Sequence, residues 1–228
     1  MSQAQQASLR DADAFDYVIV GSGAAGSILA NRLSADGATV CVLEAGPPDN
    51  SPFLHIPAGF IKAVFNKKYA WQFSSEGTTQ TNGRRVPIPQ GRTLGGSTSI
   101  NGLVYNRGQA ADFDHWASLG NPGWAYADVL PYFKSMERRA GGDDRYRGRQ
   151  GELPVTDIDW IHPLCEAFIA GAVEQGLPRN PDYNGADQAG VGYFQRTISN
   201  GWRMSTAKCF LKPAMARKNL DVRTYAQA

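Results

Sequence analysis

No stretch of this 228-residue chain approaches the ~18 consecutive apolar residues a membrane-spanning helix needs, so no transmembrane segment is read from it. An excess of one charge is also missing. Lysine and arginine number 23 against 21 aspartates and glutamates, a net charge of +2 with no basic run. That balance excludes an electrostatic grip on nucleic acid as the main activity. The N-terminus, Met1-Ser2-Gln3-Ala4-Gln5-Gln6, lacks the charged-then-apolar layout of a secretory signal and opens an expected disordered tail over 1–14. Cysteine is sparse: Cys41, Cys165 and Cys209 stand far apart in no metal-ligand spacing, so no metal site is expected. An odd, sparse set suits a reducing compartment. A cytoplasmic protein is expected, with peripheral attachment at the inner membrane left open. Histidine is rare too. His55 has no acid or nucleophile arranged beside it, and His115 and His162 read as structural and capping or surface residues.

What is present is concentrated first in residues 15–45. Tyr17-Val18-Ile19-Val20 feeds Gly21-Ser22-Gly23-Ala24-Ala25-Gly26, an apolar-striped helix follows, and Thr39-Val40-Cys41-Val42-Leu43 ends in Glu44-Ala45-Gly46. This is the βαβ pattern of a dinucleotide site. Gly21 permits the tight turn, Gly23 lets backbone approach a pyrophosphate, and Gly26 removes the side chain where helix packs on strand. Free N–H groups and the positive dipole end then face the phosphates. Glu44 lies near the expected interval of ~20 residues for accepting hydrogen bonds from ribose hydroxyls. Cys41, inside the second strand, reads as a small core residue.

Further along, 69–73 reads as a strand and 84–89 as an edge strand, its prolines excluding a central one. Helices are expected over 112–119, 127–139, 163–175 and 205–215, and strands over 151–155, 193–198 and 220–225. Val129, Tyr132, Phe133 and Met136 recur at helical spacing and read as core. Residues 137–149 read as a solvated loop whose arginines need only water. Three strands (17–20, 39–43, 220–225) belong to a parallel α/β sheet, fewer than such a sheet normally has, so an unpaired edge is expected at 220–225.

The second informative stretch is Gly91-Arg92-Thr93-Leu94-Gly95-Gly96-Ser97-Thr98-Ser99-Ile100-Asn101-Gly102-Leu103-Val104. Paired glycines before small hydroxyl residues make a nest of backbone N–H groups. Ser97, Thr98 or Ser99 is placed to cap a following turn. A second phosphate or cofactor contact is expected here.

Together with the βαβ unit, this stretch resembles the glucose–methanol–choline (GMC) family of flavin oxidoreductases, and most of all its choline and alkanol dehydrogenase-like members. The resemblance continues through Asp112-Phe113-Asp114-His115-Trp116, Val129-Leu130-Pro131-Tyr132-Phe133, Gly151-Glu152-Leu153-Pro154-Val155 and Ser205-Thr206-Ala207. It implies an α/β, Rossmann-like FAD-binding fold with an incomplete parallel sheet and the beginning of an α+β substrate or cap domain. The implied layout is a flavin-binding core over 15–108, the start of the cap over about 109–200, and a return to the FAD domain over 201–228. FAD is the implied cofactor. Gly21, Ser22, Gly23, Ala24, Ala25 and Gly26 would hold its pyrophosphate, and Glu44 with Ala45 its ribose. Arg92, Leu94, Gly95, Gly96, Ser97, Asn101, Gly102, Leu103 and Val104 would lie along pyrophosphate and flavin, with Trp71 nearby. Some relatives link flavin covalently through a histidine where this chain has Ile100, so a non-covalent FAD is expected.

The implied reaction oxidises choline or a primary alcohol to an aldehyde, with electrons passing to a quinone or other carrier. Members of the family are longer, and their catalytic histidine pair lies in the C-terminal half. No catalytic residue is therefore assigned among these 228 positions, and the chain alone is expected to turn over no alcohol. An alternative is a non-catalytic nucleotide-binding module, or half of a split enzyme that needs a separately encoded C-terminal half. An NAD-linked dehydrogenase rests on the glycine motif and Glu44 alone.

Overall fold

The computed structural model describes residues 14–228; the expected tail over 1–14 falls almost wholly outside them. The chain divides into two compact units. The first comprises the described residues up to Leu54, Ala58–Asn101 and Ser205–Ala228; the second comprises His55–Pro57 and Gly102–Met204.

The first unit is built on β1 (Tyr17–Val20), α1 (Ala24–Ala35), β2 (Val40–Glu44), β3 (Ala70–Ser74), β4 (Pro87–Gly91) and β5 (Leu220–Thr224). β1, β2 and β5 form a parallel sheet in the order β1-β2-β5. Tyr17 pairs with Val40, and Val40 with Leu220. β2 is central and buried along most of its length, as a parallel strand covered on both sides should be. Cys41 is a buried core residue. β3 and β4 make a separate antiparallel pair.

α1 packs on the sheet differently from the apolar stripe read in the sequence. Its buried residues are Gly26, Ser27, Ala30, Asn31 and Ser34, while Leu29 is exposed. The reason is separation: small side chains let the helix axis approach Ile19, Val40 and Val42 closely, where a leucine ridge would hold it off. The polar members are satisfied locally. Ser27 Oγ donates to the Ser22 carbonyl (2.7 Å) and Ser34 Oγ to the Ala30 carbonyl (2.6 Å). Asn31 Nδ2 reaches the Phe210 carbonyl (2.7 Å). The expected helix over 205–215 forms, with a π-helical stretch, Ala207–Leu211, running into a short α segment, Lys212–Ala214. Ala207, Leu211 and Ala214 fill the core beneath α1.

The second unit contains α2 (Ala110–Ser118), α3 (Tyr126–Met136), α4 (Pro163–Glu174) and paired segments of two residues. Pro163 occupies the first turn of α4, and His162 caps it, its Nδ1 accepting from the Leu164 amide (3.1 Å). The expected strand over 193–198 does not form as one; Arg196 bridges Val104 and Thr156, and a strand starts only at Ile198. On α3, Val129, Phe133 and Met136 are half-buried and Tyr132 is exposed. That stripe is a helix flank against Phe113 rather than core.

The largest departure from the sequence reading is in residues 137–149. Glu137 and Arg147 are fully buried, and Arg139 nearly so. Arg147 binds Glu137 (Nη2–Oε1, 2.6 Å) and Asp182 (Nη1–Oδ1, 2.5 Å), and Arg107 pairs with the other Glu137 oxygen. Arg147 also donates to Gln195 Oε1 (2.9 Å), and Arg139 pairs with Asp157 (2.9 Å). These arginines are the polar centre of the unit. Burial pushes the adjacent Tyr105 phenol above its ordinary pKa.

Candidate functional site

Strand β1 runs directly into the glycine turn, and the turn runs into α1. No side chain caps the start of α1 and its first turn carries no acid. The uncapped amides and the positive end of the dipole therefore remain available to an anion. A Cβ on Gly26 would run into the carbonyl oxygen of Gly21, so only glycine lets the helix leave the strand at this angle.

Facing this turn is a second one. Gly96–Ser99 forms a short 3₁₀ turn after Gly95. Gly95 donates to the Ser22 carbonyl (2.9 Å). Gly96 has φ +52, and a Cβ there would stand 2.8 Å from Gly23 Cα, so the two glycine turns touch backbone to backbone. The hydroxyls here do not cap a helix as expected. Thr98 and Ser99 donate back to the Gly95 and Leu94 carbonyls (2.6 and 2.7 Å), and Ser97 Oγ accepts from the Gly91 amide (3.0 Å). Thr206 joins them, its amide donating to Thr98 Oγ1 (3.0 Å).

Between the two turns lies a cleft of about 650 Å³. Gly21, Gly23, Ala24, Ala25, Gly26, Glu44, Ala45, Trp71, Gly96 and Ser97 line it. Four other expected residues stand behind the lining. Ser22 and Gly95 are buried beneath the turns. Leu94 belongs to the core with Ile19, and Arg92 stacks on Trp71, its guanidinium carbon 4.4 Å from the ring centroid. Asn101 is exposed at the end of the 3₁₀ turn, its amide bonded to the Ser97 carbonyl (2.9 Å). Gly102, Leu103 and Val104 fall in the second unit; there the Leu103 carbonyl accepts from the Thr197 amide (3.0 Å). Ile100 is buried with Leu54, Ala63 and Ala70. The cleft is also lined by Gln90, Thr98 and the segment 226–228, which the sequence reading does not select. Thr98 belongs to the Gly91–Val104 stretch, whereas Gln90 and residues 226–228 are brought here by the pairing of β4 with β3 and of β5 with β2.

Glu44 has a role that spacing alone does not reveal. Its carboxylate is buried. Oε2 accepts from the Ser22 amide (2.9 Å) and from Ser22 Oγ (2.7 Å), and Oε1 from the Gly46 amide (2.9 Å). The acid thus pins the glycine turn to the end of β2. A carboxylate offers about four acceptor positions; three are used. Replacing Ser22 by alanine is expected to lower stability by ~1.5–3 kcal/mol, the worth of a hydrogen bond to a charged group. Urea unfolding of the chain checks this, and an unchanged midpoint would contradict it.

Elsewhere, a smaller cavity of about 290 Å³ in the second unit is lined by Arg107, Gln109, Tyr126, Asn184 and Gln188, among others. Its main polar groups are already engaged with one another: Arg107 binds the Tyr146 carbonyl (2.7 Å), and Gln188 the Arg107 carbonyl (2.8 Å). Among the described residues, no group of three or more acids, histidines or cysteines gathers to hold a metal, and no helix is long and apolar enough to cross a membrane.

The GMC oxidoreductase pattern matches residues 15–228. The chain belongs to the GMC oxidoreductase family. It is 48% identical to an oxygen-dependent choline dehydrogenase of Rhizobium etli over 208 residues, which is 91% of this chain and 38% of that protein. A Brucella ovis protein of the same description matches equally, at 48%. Among solved structures, pyridoxine 4-oxidase from Mesorbium loti superposes with a TM-score of 0.89 at 34% identity, covering 94% of this chain and 43% of that one. An FAD-dependent oxidoreductase from Chaetomium thermophilum gives 0.83 at 28% identity, covering 92% and 38%. The match is to the N-terminal region of the family, and the chain spans 38% of the length of these choline dehydrogenases.

Proposed function

We propose that this chain is the FAD-holding N-terminal part of a flavin-dependent oxidoreductase that acts on CH–OH groups, converting choline or a primary alcohol to the aldehyde. The observation that carries the reading is the meeting of two glycine turns, 21–26 and 95–99, on one cleft beside Glu44 and Trp71. A dinucleotide fits the donor set: uncapped helix amides and a nest of backbone N–H groups suit a pyrophosphate, and Glu44 keeps one acceptor position for a ribose hydroxyl. The 650 Å³ cleft asks for more than an isolated phosphate.

In this reading residues 21–26 hold the pyrophosphate, and Gly96 and Ser97 close over its other side. Trp71, held by Arg92, supplies an apolar wall. Arg92, Leu94 and Gly95 support the lining, and Asn101 stands at the end of the second turn. Bound FAD supplies the acceptor for a hydride from the alcohol carbon. With Ile100 buried and lacking a nucleophilic nitrogen, the cofactor is held without a covalent tether. No residue among 15–228 is assigned to acid–base chemistry on the alcohol, to the choice of substrate or to transfer of electrons to a quinone or other carrier.

Purification of the chain in the presence of FAD, followed by desalting and acid precipitation, tests this. Flavin absorbance is expected to stay with the native protein and to appear in the supernatant after precipitation. Colour retained in the pellet would contradict the non-covalent link. Retention of a nicotinamide dinucleotide and not of flavin would overturn the assignment.

A further inference from the structure

The cleft between the glycine turns is short of positive charge. No lysine, arginine or histidine is among its lining residues, and the one charged side chain there is the Glu44 carboxylate. A diphosphate adds further negative charge. Against it the start of α1 offers its uncapped amides and only about half a positive charge from the helix dipole. Glu44 is already held by three hydrogen bonds, so its charge stays beside the site. A full positive charge close behind the lining would restore the balance.

Arg92 has the place and the chemistry for it. It follows Gly91, which lines the cleft, and its guanidinium carbon lies 4.4 Å from the ring centroid of Trp71, which lines it too. The side chain is half-buried, and its buried Nε has no hydrogen-bond partner among the described residues. Nor does a carboxylate among them pair with it, whereas Arg107, Arg139 and Arg147 are each matched with an acid. An aromatic face holds a cation through its quadrupole without cancelling the charge. The stack on Trp71 therefore fixes the guanidinium and leaves its field uncompensated. Backbone contacts tie it to the glycine turns. The Arg92 amide donates to the Tyr69 carbonyl (2.7 Å). A Cβ on the preceding Gly91 would run into the backbone of Gly96, which itself touches Gly23. We propose, resting on the dinucleotide reading above, that Arg92 is the counter-charge of the site: seated on the Trp71 ring, it attracts the anionic diphosphate into the cleft and holds it there. A neutral side chain packed on Trp71 would prop the same wall without this attraction. A lysine would keep the charge and lose the planar stack.

Titration of the chain with FAD at low and at high salt, followed by the change in flavin fluorescence, tests this with Arg92→Met and Arg92→Lys. Arg92→Met is expected to weaken FAD binding roughly tenfold at low salt, the scale of one partly screened opposite charge, with little change in the urea midpoint. Arg92→Lys is expected to stay within about threefold of the unsubstituted chain, since it keeps the charge. Salt is expected to weaken FAD binding by the unsubstituted chain and by Arg92→Lys, and to affect Arg92→Met much less, because screening removes only what the charge contributes. Equal losses in the two variants would make Arg92 a prop for Trp71 and overturn the proposal, as would Arg92→Met binding FAD like the unsubstituted chain. An FAD affinity of the unsubstituted chain that ignores salt would overturn it without any variant, which covers a failure of Arg92→Met to fold. No FAD binding by the unsubstituted chain would overturn the cofactor reading itself, and this role with it.

Discussion

Replacing Glu137 by alanine is expected to cost ~3–5 kcal/mol of stability, the loss typical when one partner is removed from a buried ion pair. Glu137 bridges Arg107 and Arg147, one carboxylate oxygen to each, and all three side chains are almost completely excluded from water. Without it, two guanidinium groups keep their desolvation cost, lose their shared counter-charge and repel each other. Asp182 still meets Arg147, but Arg107 is left with neutral partners, the Tyr105 hydroxyl, the Tyr146 carbonyl and the Phe133 ring. Against a usual domain stability of ~5–15 kcal/mol, this is a large fraction of what holds the unit folded. Urea unfolding followed by tryptophan fluorescence reads it, since Trp116, Trp124, Trp160 and Trp202 all lie in that unit. A loss below about 1 kcal/mol, the scale of an exposed pair, would contradict the buried-network account.

The second large effect is expected at Gly26. An alanine methyl there would meet the Gly21 carbonyl, which is backbone inside a turn fixed by Glu44 and by the Gly95 amide. Nothing flexible can yield. Gly26→Ala is expected to cost about 3 kcal/mol or more of stability, the upper end of the overpacking range, and to weaken FAD binding by displacing the Gly21 carbonyl and the turn that it belongs to. Gly23→Ala separates the two contributions. Gly23 sits at φ −67, and a methyl group placed on its Cα would meet no atom within 4 Å, so its stability should change little. That methyl would nevertheless project toward the cleft, and FAD affinity should fall. Equal stability losses for the two variants would contradict the close-approach role of Gly26.

These positions show what a sequence makes visible. The turn 21–26, the strands around it and Glu44 are readable because residues within one βαβ unit set their own periodicity and spacing. The same locality lets Pro163 and His162 mark the start of α4. What Glu44 touches is not readable: its carboxylate turns back onto Ser22 and Gly46, and residue spacing does not tell this from a carboxylate turned toward a ligand. The apolar stripe expected on α1 fails because distance between helix and sheet, set by Gly26, Ala30 and Ser34, decides which face is inward. Residues 137–149 mislead for a different reason. Glu137, Arg147, Asp182 and Gln195 are separated by up to 58 positions (195 − 137), and polarity in a glycine-rich stretch looks the same whether water or another charge satisfies it. Likewise Gln90 and residues 226–228 reach the cleft only through long-range strand pairing.

The most direct test of FAD binding at this cleft is hydrogen exchange of the chain with and without FAD. Protection is expected at the amides of residues 21–26 and 95–99 and at Trp71, with no change at 107–111 or 183–189. Protection confined to the latter segments, or none in the glycine turns at saturating FAD, would contradict the assignment.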